Sequence, residues 1–467
     1  MANEPFMDRW TLNGTEVLLQ DHGRDQANGV PVLDNEAKLP LSYLPQNYAS
    51  NLKVSPDDPD NDDFDVWLTK LNSSLYRDRG KTWTAGVNIS SVITTNVVLF
   101  KDLYIIASGA GPYWSTDGIA WNAPTNFPSS TLGLFICCNE NLCLVGSGKG
   151  IWASTDGKNW TLCNGIPNTY SVRNIVYVNG LWLCGIQSHG VWWSEDGINW
   201  TQGTGSAASG GGRYWEFVYA DGLYVCFNNQ SGGVFWSEDG KSWNSCTGVS
   251  GAIGTSLSYK DGLWLMSSGP SWDSTNPSVR GILWSEDGKS WTRVSLNNFY
   301  AHTVKYIKNL WFAETTNGGI WWSEDGKNWA QGSGVSNHYI ANTDYANGVF
   351  LTCIKQNNSN PAIYWSDDGK TWNTSASAPV LLYFLAFLNG VWLTISNQTD
   401  NGGIWYSENG KSNWYHASGA SKNLAYLMFV KNVFFELSNN PHTYESGSGN
   451  GIYSSTSLGV WTPEISA

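Results

Sequence analysis

A short box, Ser-x-Asp-Gly-x-x-Trp, recurs down this chain: Ser115 to Trp121, Ser154 to Trp160, Ser194 to Trp200, Ser237 to Trp243, Ser285 to Trp291, Ser323 to Trp329 and Ser366 to Trp372. Measured serine to serine, the copies stand 38 to 48 residues apart. Such a period marks an array of one supersecondary unit, because each unit buries its apolar face only against the next. Aromatic and β-branched residues lead into the box, Asp-Gly makes a tight turn and Trp opens the return strand, so each copy reads as a hairpin. The carboxylate is placed to accept hydrogen bonds from the turn's own amides, and Gly tolerates positive φ. Each Trp buries roughly 150–250 Å². That gives a gross upper bound near ~4–6 kcal/mol per copy before entropy is charged. The box is first of all a folding device.

Degenerate copies follow at Ser407-x-Asn409-Gly410 with Trp414 and at Ser454 with Trp461. An earlier copy is Asp78-Arg79-Gly80-Lys81-Thr82-Trp83, which brings the boxes to ten. Between boxes lies a second hairpin, as in Ile175-Val176-Tyr177-Val178-Asn179-Gly180-Leu181-Trp182-Leu183 and again from Phe217 to Val225 around Asp221-Gly222. Each unit therefore holds four strands, named A to D from the axis outward. Four antiparallel strands in about forty residues fit a β-propeller blade. The expected fold is all-β, a propeller of nine or ten blades over residues 66–467, with Phe64–Trp83 supplying part of a tenth. Two smaller propellers or a β-solenoid satisfy the same period.

The ends differ from the repeats. Residues 1–50 hold a Pro-rich stretch from Gly29 to Pro45 with an extended, polyproline character. Residues 51–65 pack Asp57, Asp58, Asp60, Asp62 and Asp63 around Pro56 and Pro59 and read as a linker. No apolar run of signal-peptide length opens the chain, and none approaches a membrane span. A net charge of −13 argues against nucleic acid or an anionic membrane as the main partner. Few charged residues (14%) beside 28 Trp, 22 Tyr and 50 Gly suit an all-β protein with many turns. The cysteines show no paired spacing. Cys137, Cys138, Cys143, Cys184, Cys226 and Cys353 read as small hydrophobes in strands, without a disulfide scaffold or a metal cluster. No cofactor motif is present.

The box resembles the Asp-box, or BNR repeat, of sialidase-type propellers, where it caps the C–D hairpin and is structural. The resemblance implies that role for Asp78, Asp117, Asp156, Asp196, Asp239, Asp287, Asp325, Asp368 and Asn409. The common form has one more residue between Asp and Trp; here only Asp78–Trp83 keeps that spacing. The leader resembles the N-terminal segment of bacteriophage tail-fibre and receptor-binding proteins, through Leu33, Asp34, Lys38, Leu39, Pro40, Leu44 and Pro45, with Ala37 where Gly is usual. It implies attachment to other virion tail proteins through residues 1–50, location in the virion outside the cell, and assembly as a homo-oligomer, a trimer among the options.

In a four-stranded blade the A–B and C–D connections leave one face and the B–C and D–A connections the other. The first face is uniform: two-residue turns and boxes. The second receives segments of changing length, such as 203–213, 267–281, 355–362, 396–403 and 438–451. Binding residues tend to lie on loops held by a rigid scaffold. The candidate ligand-binding residues there are Tyr170, Tyr214, Trp272, Tyr300, His302, His338, Tyr339, His442 and Tyr444, whose rings suit stacking on sugars. Sialidase chemistry asks for three arginines around a carboxylate, whereas the eight here are scattered. A glycosidase needs two carboxylates about 5–10 Å apart, and Glu216, Asp273, Asp344, Asp400 and Glu445 form no spaced pair. No catalytic residue is therefore nominated. Three functions compete: a non-enzymatic tail fibre or tail-tip protein binding a bacterial surface glycan or protein receptor, a glycan-degrading enzyme on the same propeller, and a purely structural virion component.

Overall fold

The computed structural model describes residues 9–12, 15–18, 84–85, 94–108, 110–128, 133–208, 215–228, 233–269, 281–294, 301–355, 362–380, 382–388, 390–396, 402–417, 426–430, 433–437 and 453–456. The chain divides into two compact units, Met1–Arg77 with Val460–Ala467, and Asp78–Gly459. In the first, Arg9–Leu12 and Thr15–Leu18 pair as an antiparallel hairpin. Leu33, Asp34, Lys38, Leu39, Pro40, Leu44 and Pro45, expected from the resemblance to serve attachment, lie outside the described residues.

Every regular element described in the second unit is a strand, and the strands form nine consecutive sheets. The third sheet shows the plan. Val172–Val178 (A) pairs with Leu181–Ile186 (B), B with Gly190–Ser194 (C), and C with Thr201–Gln202 (D), all antiparallel. The A–B turn is Asn179-Gly180 with both φ angles positive, at 50° and 77°. This is the type I′ geometry that matches strand twist, and Asn-Gly reaches it with least strain. Strand B is buried along its whole length in seven of these sheets, so it reads as an apolar run rather than an alternation.

The A strand of each sheet touches the sheet before it, and the first touches the ninth, so the unit is a closed nine-bladed β-propeller. The ninth sheet explains the count. Tyr426–Val430, Val433–Leu437 and Tyr453–Thr456 are its A, B and C strands, but its D strand is Thr84–Ala85 from the other end of the unit. Phe64–Trp83, expected to supply part of a tenth blade, lies outside the described residues; Thr84–Ala85, directly after it, completes the ninth sheet. By register Ser455, opposite Phe434, occupies the place that Ser194, opposite Trp182, has in the third sheet. The return strand there follows Trp83 rather than Trp461. Strands from the two ends of the repeat region thus share one sheet, and nine sheets are described.

In the seven complete boxes the atoms do what the residue types predict. Asp196 Oδ1 accepts the Ile198 and Asn199 amides, each at 2.8 Å, and the Ser194 hydroxyl at 2.9 Å. The Gly197 amide donates to Ser194 Oγ at 2.9 Å. The Trp200 indole donates to the Gly197 carbonyl at 3.0 Å, and Trp243, Trp291 and Trp329 do the same, whereas the buried Trp160 and Trp372 indoles make no such bond. Trp121, Trp160, Trp200, Trp243, Trp291, Trp372 and Trp414 are buried; Trp329 is half-buried. At Asn409 the side-chain amide oxygen takes the carboxylate's place, accepting Lys411 and Ser412 amides at 3.0 Å. Asp78 lies outside the described residues.

Two further repeats tie blade to blade. Lys241, just after the box glycine, reaches back to Glu195 and lies over Trp193 of the preceding blade. The same latch joins Lys289 to Glu238 and Trp236, Lys327 to Glu286 and Trp284, Lys370 to Glu324 and Trp322, and Lys411 to Asp367 and Trp365. Farther round the turn, the backbone after strand D runs against the next box: the Asn164 amide donates to the Ile198 carbonyl and the Trp200 amide to the Asn164 carbonyl.

The cysteine expectation holds in part. Cys184, Cys226 and Cys353 are buried and unbridged. Cys138 and Cys143, however, are joined as a disulfide. They face each other directly across the A–B hairpin of the second blade, where Tyr177 and Trp182, Tyr259 and Trp264, or Tyr306 and Trp311 face each other in other blades. The bridge thus replaces an aromatic cross-strand pair.

Candidate functional site

The antiparallel order A-B-C-D puts the I′ turns and the boxes on one rim and the B–C and D–A connections on the other. On the box rim the box aspartates and serines bond within the turn, and five lysines pair with acids of the preceding blade. The loop rim is where side chains differ from blade to blade.

Four of the nine candidate ligand-binding residues fall among the described residues. His302 and Tyr339 come together, stacked at 5.1 Å between ring centroids across the boundary of the sixth and seventh blades. His302 is there because strand Ala301–Ile307 carries a bulge against strand B between Ala301 and Thr303. The extra residue is turned out of the ladder. Its Nδ1 pairs with Thr303 Oγ1 at 3.0 Å and its Nε2 with the Ile340 carbonyl at 2.7 Å. Burial pushes the imidazole below its ordinary pKa, against the opposing pull of Glu314, so it is neutral at pH 7. Lys355 Nζ lies 5.7 Å from the Tyr339 ring, and the Lys355 amide donates to the Tyr339 carbonyl at 2.9 Å. His338, one residue earlier, turns to Tyr364, with Nε2 3.2 Å from the phenol oxygen.

Tyr170 belongs to a different blade. It stacks on His189 at 3.5 Å and meets Trp192 edge-on at 6.4 Å. His189 Nδ1 is held by the Gln187 carbonyl at 2.8 Å, and the Arg173 guanidinium donates to Gln187 Oε1. Tyr214, Trp272, Tyr300, His442 and Tyr444 lie outside the described residues. So do 209–214, 270–280, 356–361, 397–401 and 438–452, where the loops of greatest length fall.

His189, Arg173, Gln187, Lys355 and Tyr364 were not nominated from sequence. Their signal was positional: each of the first four sits within three residues of a strand end facing the loop rim.

The carboxylates in the A strands are used between blades. Glu216 accepts the Leu257 amide at 3.3 Å, and Asp344 Oδ2 accepts the Phe387 amide at 3.2 Å, each from the following blade. An innermost strand has an unpaired edge, and such edges need partners when they are covered. Lys305 does the same job with a donor, reaching the Thr343 carbonyl at 2.9 Å, Asn342 Oδ1 at 2.7 Å and the buried Glu314 carboxylate at 2.7 Å. Burial raises the Glu216 carboxyl to about 7, although the Leu257 amide opposes this. Among the described residues, no three His, Cys, Asp or Glu side chains converge as metal ligands.

No protein-family model matches the sequence, and no curated protein does either. Solved structures are similar in arrangement. The computationally designed Ika8 protein is 9% identical with a TM-score of 0.49, over 80% of this chain and 99% of its own. YCF48 from Cyanidioschyzon merolae is 11% identical with a TM-score of 0.38, over 80% and 98%. An ancestral GH74 enzyme is 12% identical with a TM-score of 0.33, over 79% and 76%. The class of protein rests on the sheets themselves: a β-propeller.

Proposed function

We propose that this chain is a non-enzymatic phage tail fibre or tail-tip protein, held in the particle by residues 1–50, whose loop rim binds a bacterial surface receptor, a glycan in the first instance. The observation that carries the reading is the His302–Tyr339 stack with Lys355 beside it, on a rim whose composition changes from blade to blade. Half-buried aromatic faces stack on the apolar faces of sugar rings, and an exposed cation nearby favours a glycan bearing acid groups. The Tyr170–His189 pair supports the same reading from another blade. The Pro-rich leader supports placement in a tail, and several chains on one particle would add avidity to weak contacts.

The test is incubation of the purified protein with envelope glycans of candidate hosts. Binding without release of reducing ends is the expected result, with Tyr339→Ala weakening it about tenfold and leaving the melting temperature within a few degrees. Release of reducing ends would make the protein a depolymerase. Neither binding nor release would leave a structural virion component.

A further inference from the structure

The A–B hairpin of the second blade is closed differently from its counterparts. In six consecutive blades, from Tyr177–Trp182 in the third to Phe387–Trp392 in the eighth, two aromatic rings face each other one pair out from the turn, with centroids 4.5–5.2 Å apart. Cys138 and Cys143 hold that place in the second blade and are bonded to each other. The two cysteines are unequal. Cys143 lies on strand B, is fully buried and shares a core cluster with Phe100, Leu103, Val145 and Trp160. Cys138 lies on strand A, the innermost strand, and is half-buried. The turn between them does not depend on the bridge. The Asn139 side-chain oxygen accepts the Asn141 and Leu142 amides at 3.0 and 2.8 Å, and the Asn139 amide donates to the Leu142 carbonyl at 2.9 Å.

We propose that the Cys138–Cys143 bridge is a thiol-exchange site entered at Cys138, so that the second blade is stapled or unstapled by the redox state of its surroundings. The reagent is a low-molecular-weight thiol. Its thiolate attacks Sγ of Cys138, the half-buried member of the pair, and the bond to Cys143 Sγ breaks. Cys143 leaves as a thiolate, takes up a proton and stays in the core as a small hydrophobe. Cys138 then carries the small thiol as a mixed disulfide. A second thiolate attacks the outer sulfur of that disulfide, Cys138 leaves and is protonated, and a small-molecule disulfide departs. The bridge has gained two electrons and two protons, and two small thiols have been oxidised to one disulfide. With a small-molecule disulfide as oxidant the same steps run backward and close the bridge. Cytosolic thiol pools favour the open form, and oxidising surroundings the closed one. In the open form the hairpin is held by Asn139 and by its ladder, without the aromatic contact that other blades keep in either state.

The test equilibrates the full-length protein in glutathione buffers from cytosolic to oxidising poise, quenches with acid, alkylates and maps the peptides by mass spectrometry. The oxidising buffer should give the bridge and the reducing buffer two alkylated thiols, with an unchanged circular dichroism spectrum. Between them, glutathione should sit on Cys138 in excess over Cys143 by about tenfold or more. An adduct shared equally, or found mainly on Cys143 or on the neighbouring thiol Cys137, overturns the proposal. So does a bridge that stays closed in the reducing buffer, or a pair that stays as thiols in the oxidising one. The bridged protein should melt about 2–3 °C above the dithiol form; equal melting temperatures overturn the staple. Cys138→Ser with Cys143→Ser should melt with the dithiol form in both buffers. Cys138→Tyr with Cys143→Trp, which copies the third blade, should melt at one temperature in both. A buffer-dependent shift of wild-type size in the Ser variant puts the redox response elsewhere in the chain and overturns the proposal.

Discussion

Lys241 Nζ lies 2.6 Å from Glu195 Oε1 of the preceding blade, while the same ammonium rests 4.4 Å from the centre of the Trp193 ring. The glutamate is 71% exposed and the lysine 35%. An ion pair that open to water contributes little, whereas the indole contact excludes water on one side and gains from the ring quadrupole as well. The tryptophan, not the carboxylate, is then the stronger half of each latch.

Double-mutant cycles separate the two halves. Coupling between Lys241 and Glu195 should be under ~1 kcal/mol and fall with added salt. Coupling between Lys241 and Trp193 should be about 0.5–1 kcal/mol and persist in high salt. Urea unfolding of Lys241→Met, Glu195→Gln, Trp193→Phe and the paired variants, each at two salt concentrations, checks this.

Acid should loosen the boxes together. Burial pushes the Asp196 carboxyl up, but the Asn199 and Ile198 amides and the Asn199 and Ser194 side chains bring it down to about 2. Asp117, Asp156, Asp239, Asp287, Asp325 and Asp368 are lowered in the same way. A carboxylate with a depressed folded pKa contributes its stability above the unfolded value near ~4 and loses it as pH falls toward the folded one. The melting temperature should therefore drop between about pH 4 and 2. Asp196→Asn should cost less than Asp196→Ala, by roughly 1 kcal/mol, because the amide oxygen still accepts hydrogen bonds as Asn409 does.

Glu216 has the opposite sign. Its folded pKa of about 7 lies above the unfolded value. The protonated carboxyl therefore contributes stability at low pH, and this is lost as pH rises through 7. Glu216→Gln should flatten the fall in melting temperature between pH 5 and 8 and leave the acid limb set by the boxes unchanged. A scan of melting temperature against pH for both proteins reads it directly.

Gly165 stands at φ +93°, and a Cβ there would meet the Trp200 carbonyl oxygen at 2.0 Å. Gly180 stands at φ +77° with open space around it. Gly180→Ala should cost about 1 kcal/mol from backbone strain alone. Gly165→Ala should cost ~3 kcal/mol or more, because two blades must also move apart. Chemical denaturation of the two variants makes the comparison.

Truncation should show where the ring shuts. A protein lacking residues 1–77 keeps Thr84–Ala85 and should melt in one cooperative transition. One lacking residues 1–86 leaves strand Tyr453–Thr456 with a bare edge and should melt lower and aggregate. Size-exclusion chromatography with calorimetry distinguishes the two.

The strands, the turns and the period were legible because they rest on neighbours in sequence. Asp196 bonds to Ile198 and Asn199, and Asn179-Gly180 carries its own turn geometry. What was not legible depends on neighbours in space. Thr84 and Ser454 pair across nearly the whole chain, and a two-residue strand carries no pattern that announces its partner. Lys241 and Glu195 are ordinary surface charges until one blade is laid on the next. The same holds at the candidate site: His302 and Tyr339 were each visible as ring-bearing residues near strand ends, but their stacking is set by a bulge and by the blade boundary. Cys138 and Cys143 keep the five-residue spacing of Tyr177 and Trp182 around a two-residue turn, so their facing was legible in the repeat and was missed because the cysteines were compared with one another and not with the aromatic pair of the other blades.

The closing strand has a mechanical side. Among the described residues, Thr84 and Ala85 are where the chain coming from the N-terminal side first joins the ring, as the D strand of the ninth sheet. A tug on that strand loads two residues of backbone rather than the eight blades whose box tryptophans are packed. The ring is thus strongest where it repeats and gives way first at its clasp.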